Sequence, residues 1–556
     1  MRRLDIGVSP PEYFGQNAGL FELLERLYPV QFKPRPPDCT RFGDANIVLG
    51  IERAEAVAAA QPDTPCLVCP EARESDNRPK RRDSTFTHGP DVPLPLRGRV
   101  IAELLSSHAT AQVALTEADT VLAVRDGVPA WMVRRGDRLP RLMDISSVPL
   151  PQIADHAFLV DFFGRNESMC LLPLLDFMRR LSNPTGWQAP PPRACIVFDD
   201  VNIRASSYGC LQFSQLAAHA AANEYHAAIA MIPLDATRAS PETVTLFRDH
   251  PRQLSVLVHG NNHQRLELAR HRPPAARHAL VTQALQRANR FAAQQVLPVD
   301  AVMEPPYGTV HVDYLDPLAR AGFEAVLVTP RQFRGSNHAS AQTSLLGMGP
   351  AQMWANGLAI IPRITADTCW RTDVLLASFL QQPIVVAGHH FDADNDLQWV
   401  DDVARFVNSV QAHSWQGLSA IARSQFTRRL IGDTLHVRCY SRSVDVVVPD
   451  GAGEVVIERP WLDETAREDL HCSAARDDGS SPTLAGRICG PIAVRPRSVL
   501  KVRSPHPQFA DGSSQAPMTT TYQLRLRRAI TESRDRVYPR LPRTFRRKSA
   551  IMGRRS

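Results

Sequence analysis

Long apolar runs are missing from this 556-residue chain, and that bounds what it can be. Without a stretch of about 20 apolar residues it has no standard membrane-spanning helix. The opening "MRRLDIGVSPPEYFG" carries two arginines but no apolar core of about seven residues behind them, so it does not read as a secretory signal. The expected compartment is the cytoplasm. A disulfide framework is not expected either, because the ten cysteines are scattered and fit reduced thiols better. Cys66 and Cys69 form "CLVC", yet a second pair at zinc-ribbon spacing and a thioredoxin-like context are both absent. The G-x-G-x-x-G fingerprint is also absent, which leaves dinucleotide binding unsupported. Nor does any fixed internal period point to a repeat protein.

What is present is globular material, 44% hydrophobic and 22% charged, and at 61.6 kDa there is enough of it for two or three cores. The 45 prolines imply many interrupted elements. The formal charge is +7, and much of the excess lies in the arginine-rich end, including Arg546, Arg547, Lys548, Arg554 and Arg555. That end lacks apolar periodicity and reads as a flexible appendage. Two readings stand for it: a solvated tail without a dedicated partner, or one that touches phosphates or an anionic membrane surface. No specific nucleic-acid partner is predicted.

Five segments are expected. Residues 1–150 read as an N-terminal α/β domain, with "RRLDIGV" and "ANIVLGI" as strands and "NAGLFELLERLY" as an amphipathic helix. Within it, residues 71–98 are charged and aperiodic and read as a long exposed loop, whereas "DTVLAVRDG" and "VPAWMVRRG" suggest a hairpin about an Asp-Gly turn. A helix and the proline-rich "GWQAPPPRA" occupy 151–192 as a linker. Over 193–425, seven apolar runs alternate with helical patterns: "CIVFDD", "HAAIAMIP", "LSVLVHG", "VDAVMEPPYG", "FEAVLVTP", "LAIIPRIT" and "PIVVAGHH". Buried parallel strands look like this, so the fold class is α/β, as a barrel or an open sheet, with functional residues just past the strand ends. Residues 426–505 alternate like a small β domain, and 506–556 form the basic flexible tail.

Three of those runs end in chemically capable side chains: Asp199 and Asp200, His259 and His263, His389 and His390. Adjacent aspartates resist joint ionisation, so either a cation sits there, one carboxyl does proton chemistry, or the pair faces water. His259 and His263, four apart, share one face if the chain turns into a helix there, and both imidazoles then reach one ion. Nitrogen ligands with one carboxylate suit zinc or a similar divalent metal. A glycosyltransferase using the two aspartates on a nucleotide-sugar metal would leave the histidines unexplained. Asn202 and Tyr208 follow the aspartates and either shape a pocket or cap a turn; Trp399 and Trp415 read as core residues ahead of sugar platforms.

Together the motifs resemble the NodB-type polysaccharide deacetylase family over residues 193–423. The resemblance implies a distorted (β/α) barrel of that type, flanked by the N-terminal α/β domain and the small C-terminal β domain. By resemblance "FDD" makes Asp199 the general base and Asp200 a metal ligand. "HGNNH" supplies His259 and His263 as the other ligands. "MEPPYG" places Pro305, Pro306 and Tyr307 along the substrate groove, with the Tyr307 N–H as an oxyanion donor. His389 of "AGHH" is the general acid, and His390 the fallback. The sequence departs from the family where Glu304 stands in place of an arginine before the two prolines; Arg363 is expected to replace that cation. The family's aspartate–tryptophan motif has a loose counterpart in "DTCW", Asp367 to Trp370. The implied function is a metal-dependent hydrolase removing acetyl groups, N-acetyl ahead of O-acetyl, from a carbohydrate or glycoconjugate. Glu304 and the weak "DTCW" keep open the alternative of a non-catalytic carbohydrate-binding protein on the same barrel.

Overall fold

A computed structural model describes residues 3–36, 43–60, 63–70, 81–106, 115–134, 143–151, 153, 159–163, 167–182, 186–237, 239–330, 345–367, 369–393, 396–473, 483–506 and 522–537. The chain falls into two compact units: Met1–Trp187 with Asn337–Gly349 and Arg371–Leu380, and Gln188–Ser336 with Pro350–Trp370 and Gln381–Ser556.

The first unit is built on one nine-stranded sheet. Strands Val30–Pro34, Leu4–Ser9, Ala45–Leu49, Cys66–Cys69 and Met143–Ser146 lie parallel in that order. The helix Ala18–Leu27 turns Leu20, Phe21, Leu23 and Leu24 inward, the stripe its periodicity implies. Strands Val128–Arg134, Asp119–Arg125, Arg81–His88 and Val100–Ser106 extend the sheet antiparallel. The hairpin turns at Asp126 and Gly127, both at positive φ (47° and 86°), the geometry that makes Asp-Gly a good hairpin turn.

One expected loop is a strand. Arg81–His88 pairs on both sides, and Ser84, Phe86 and His88 alternate inward. Only one of those three is apolar, so the period of two is invisible to a hydrophobicity reading; residues 71–80 of the same expectation lie outside the described residues. "CLVC" is a fully buried strand, and burial pushes the Cys69 thiol up to about 12 and that of Cys66 higher still. Neither is a thiolate at neutral pH, which argues against redox use.

In the second unit all seven apolar runs are strands. Their sheet runs Gln352–Trp354, Leu358–Pro362, Ala325–Val328, Asp300–Glu304, Leu254–His259, Ala227–Met231, Arg193–Val201, Ile384–His389, Ile364–Thr365. Every neighbour is parallel except the first pair. Cys195, Val197, Ala228, Leu257, Val302 and Ile361 are among the residues of one apolar cluster along it. The sheet curls until one segment meets both of its ends: Leu358–Pro362 pairs with Ala325–Val328, Ile364–Thr365 pairs with Ile384–His389, and Arg363 sits at the switch. The ends of these strands carry the polar residues, as parallel α/β sheets require.

Two four-stranded antiparallel and mixed sheets follow between Phe426 and Arg503 and share one apolar core, including Val437, Val446, Ile457 and Val502. The flexible-tail expectation needs correction. Tyr522–Val537 is a helix of the second unit, with Arg528 and Asp535 buried. Its apolar content is low, so the helix is held by ion pairs that a search for apolar periodicity does not see. Residues 507–521 and 538–556, with Arg546, Arg547, Lys548, Arg554 and Arg555, lie outside the described residues. No described helix is long and apolar enough to cross a membrane.

Candidate active site

In a regular strand successive side chains point to opposite faces, so Asp199 and Asp200 would be separated. The pairing of Arg193–Val201 with Ala227–Met231 shifts register between Phe198 and Val201, and Asp200 adopts φ 68°. This irregularity breaks the alternation and lets both carboxylates serve one site.

Asp200 faces both histidines. Its Oδ1 lies 3.1 Å from Nε2 of His259 and 2.5 Å from Nε2 of His263. His259 ends its strand almost fully buried, and its Nδ1–H donates to the Glu304 carbonyl oxygen at 3.0 Å. That bond fixes the tautomer and leaves the Nε2 lone pair directed at Asp200, the usual outer support of a metal-binding imidazole. The ligand atoms of Asp200, His259 and His263 all lie within 4.8 Å of one another. Two neutral imidazoles and a carboxylate with open positions fit a divalent ion of the zinc class. Burial opposes ionisation of Asp200, but positively charged, N–H-donating His263 and His259 rings outweigh it and hold its carboxyl well below the usual carboxylate range, the part a bound cation takes over when the rings are neutral.

The histidines do not meet through a helix. Residues 260–270 form turns, with His263 itself at φ 55°. The loop is wrapped instead around the buried carboxylate of Glu267, which accepts from the backbone N–H groups of Asn261 (2.8 Å), Asn262 (3.0 Å) and His263 (3.2 Å). Buried Arg287 completes the clamp by donating to Oδ1 of Asn261 at 2.7 Å and of Asn262 at 2.9 Å. Sequence reasoning missed both residues; a glutamate inside the apolar "RLELAR" was the available signal. Asn261 and Asn262 act inside this clamp.

Asp199 is buried on the other side of the site. Arg363 donates to its Oδ2 at 3.1 Å and forms an ion pair with Glu304, which is fully buried. Among the described residues Asp199 Oδ1 has no hydrogen-bond partner. Asp199, His259 and Glu304 make a second geometric cluster able to surround an ion. There the positive charge is already supplied by the Arg363 guanidinium, so the Asp200 cluster is the better metal site.

The remaining expected residues also lie here. His389 sits beside Asp199 in the strand register, stacks on Phe391 at 5.0 Å and keeps its half-exposed ring 4.0 Å from Asp200 Oδ2. His390 is different: it is buried, edge-on to Tyr208 at 5.3 Å and 3.9 Å from Asp535 of the C-terminal helix, and burial lowers its pKa despite that carboxylate. Pro306 is buried, while the exposed Tyr307, at φ 63°, stacks on His263 with ring centroids 6.0 Å apart. Gly260 leaves the room this requires, since a Cβ there would come within 2.5 Å of Pro306 and 2.7 Å of Glu267. Trp399 packs edge-on against Phe198, and Trp415 against Tyr225, both structural uses. Within "DTCW" the Asp367 carboxylate accepts from the Cys369 N–H at 2.7 Å and Trp370 packs edge-on against Phe406 at 5.3 Å, whereas Thr368 lies outside the described residues.

No protein-family model and no curated protein matches the chain. Among solved structures, a protein described as a polysaccharide deacetylase from Mycobacterium smegmatis aligns with 43% of this chain and 94% of its own, at 15% identity and TM-score 0.30. A family 4 carbohydrate esterase from Streptomyces lividans, in complex with acetate, aligns with 39% of this chain and 88% of its own, at 14% identity and TM-score 0.24. A Bordetella bronchiseptica protein described as a polysaccharide deacetylase involved in O-antigen biosynthesis aligns at 11% identity and TM-score 0.22, over 43% and 91% of the two chains. Similarity of this size transfers no activity to this chain; the chemistry rests on its own site residues.

Proposed function

We propose that this protein is a divalent-metal-dependent hydrolase, with zinc as the ion, that removes an acetyl group, N-acetyl ahead of O-acetyl, from a carbohydrate or glycoconjugate. What supports it is the gathering of Asp200, His259 and His263 around one ion-sized point, beside a second carboxylate, Asp199, held by a guanidinium instead. A divalent ion held by the three ligands supplies Lewis acidity and neutralises charge. Asp199, oriented by Arg363 and with Oδ1 unengaged among the described residues, takes a proton from the attacking water. The Tyr307 N–H is the oxyanion donor. His389, on a half-exposed ring, protonates the departing nitrogen, because an amide anion is too basic to leave unprotonated. Pro306 and Tyr307 line the groove for the sugar, and Glu304 balances Arg363 from behind.

A non-catalytic carbohydrate-binding barrel is the rival. Glu304 and the weak "DTCW" favour it, and the Arg363 contact to Asp199 weakens the first of these by supplying the missing cation. The cytoplasm is the proposed compartment, where buried reduced thiols such as Cys66 and Cys69 persist. Acetate release from a panel of N-acetylated saccharides and sugar nucleotides, with added zinc, tests the proposal. Zinc-dependent release is expected; a zinc-loaded protein that releases none from any of them would support the binding reading.

A further inference from the structure

The C-terminal helix Tyr522–Val537 is turned inside out. Its polar side is the buried one. Arg528 donates to Asp235 at 2.7 and 3.1 Å, Arg204 to Glu532 at 2.8 Å, and the Tyr208 hydroxyl to Asp535 at 2.9 Å. Its apolar side faces out: Tyr522 is 78% exposed, Ile530 63%, and Leu526 and Val537 49% each. At about 100° per residue these four, with exposed Ala529 and Ser533 among them, cover one arc about 100° wide. A helix that stabilised its unit by apolar packing would turn that arc inward, as Ala18–Leu27 does in the first unit. Here ion pairs and a hydrogen bond hold the helix and leave a continuous apolar row in water, which marks a surface with a partner.

We propose that this outer face docks on the surface of an anionic lipid bilayer, with the helix lying in the plane of the interface. Charge points to lipid. Exposed Arg525 borders the arc on one side and exposed Arg527 and Arg534 on the other, the last also bonded to Asp535 at 2.7 Å. The helix has only two carboxylates, Glu532 and Asp535, and both bond to residues of the barrel. The apolar side chains enter the acyl boundary, while the arginine stems run beside them and carry their guanidinium groups to the phosphates. Residues 538–556, directly after the helix, add seven Arg and Lys and no Asp or Glu, the kind of polybasic stretch that an anionic leaflet attracts.

The clamp on the polar side favours a flat partner. A protein that wraps around a basic amphipathic helix needs its polar side as well, and that side is held at Asp235, Arg204 and Tyr208. A bilayer surface needs only the outer face. At 16 residues the helix lies on the membrane and does not span it, in keeping with the lack of any described helix long and apolar enough to cross one. The docking face stands whether or not the hydrolase reading holds, since no residue of the ligand cluster contributes to it.

The test is flotation of the full chain with vesicles of phosphatidylcholine containing about one-third phosphatidylglycerol, beside vesicles of phosphatidylcholine alone. Wild type is compared with Leu526→Gln/Ile530→Gln, which removes the centre of the apolar arc, keeps every arginine and touches none of the bonds that hold the helix. Wild type is expected to float with the anionic vesicles and not with the neutral ones, and the double variant to bind the anionic vesicles about tenfold more weakly or less. Matching melting midpoints establish that the variant is folded; if they differ, Tyr522→Gln/Val537→Gln, at the two ends of the helix, takes its place with the same expectation. No flotation of wild type, or equal binding by wild type and variant, overturns the proposal. So does light scattering that finds wild type a dimer and the variant a monomer while neither binds vesicles, because the arc then covers a second copy of the chain.

Discussion

Arg363 lies between two carboxylates, and replacing it by glutamine exposes what holds the site together. Arg363 is 7% exposed, Asp199 4% and Glu304 0%, so water offers little screening. Without the guanidinium, two buried carboxylates face each other unpaired; removing one partner from a buried ion pair costs about 3–5 kcal/mol. Glu304→Gln alone is milder, because Arg363 keeps Asp199 at 3.1 Å. In Arg363→Gln/Glu304→Gln one of the two stranded charges is gone, so the double variant is expected to be more stable than the sum of the single losses by about 1–3 kcal/mol. Differential scanning calorimetry reads this, in the transition that added zinc moves to higher temperature. For Arg363→Gln the midpoint should fall by roughly 10 °C. Strict additivity of the two losses, within about 0.5 kcal/mol, would refute the coupled triad.

Other consequences follow from particular contacts. Glu267→Gln loosens the loop that carries His263 and should weaken zinc binding by about 10–100-fold, read by competition with a chromophoric chelator. His389→Ala should lower kcat by about 10²–10⁴-fold while leaving zinc content at one ion per chain, as expected for a proton donor that is not a ligand. In the first unit, burial lifts the Glu103 carboxyl from 4.5 to about 7, against the opposing hydrogen bond from the Ser168 hydroxyl. Because the folded value is the higher one, the native state holds its proton more tightly than the unfolded chain, and stability falls as pH rises from about 4.5 to 7. Glu103→Gln should remove that fall, worth about 3 kcal/mol at pH 8 by the size of the shift, and its melting temperature should change less between pH 5 and pH 8 than that of wild type.

The parallel strands of the second unit are legible because burial on both faces writes them as continuous apolar runs, and the polar residues at their ends stand out by contrast. Arg81–His88 is illegible for the opposite reason: of its inward positions Ser84, Phe86 and His88 only Phe86 is apolar, while Ser84 and His88 bond to Arg125 and to the Arg99 carbonyl. The same holds for the C-terminal helix, which is anchored by Arg528 on Asp235 and Asp535 under Tyr208 across nearly 300 residues or more of sequence, distances no local pattern encodes. At the site, residue types at strand ends pointed to Asp199, Asp200, His259, His263 and His389, and strand position pointed to Arg363. What the sequence hid was the backbone that gathers them: the irregularity at Asp200, the turn around Glu267 and the clamp by Arg287 all depend on positive φ angles or long-range bonds. An H-x-x-x-H spacing suggested a helix only because helices are the commonest way to align residues four apart; a loop folded on a buried carboxylate achieves the same end.

The most direct test measures metal content and acetate release on the same samples of wild type, Asp199→Asn and His259→Ala. The account predicts one zinc per chain and acetate release in wild type, zinc without release in Asp199→Asn, and loss of both in His259→Ala. Acetate release that persists in Asp199→Asn, or full zinc content in His259→Ala, would contradict it.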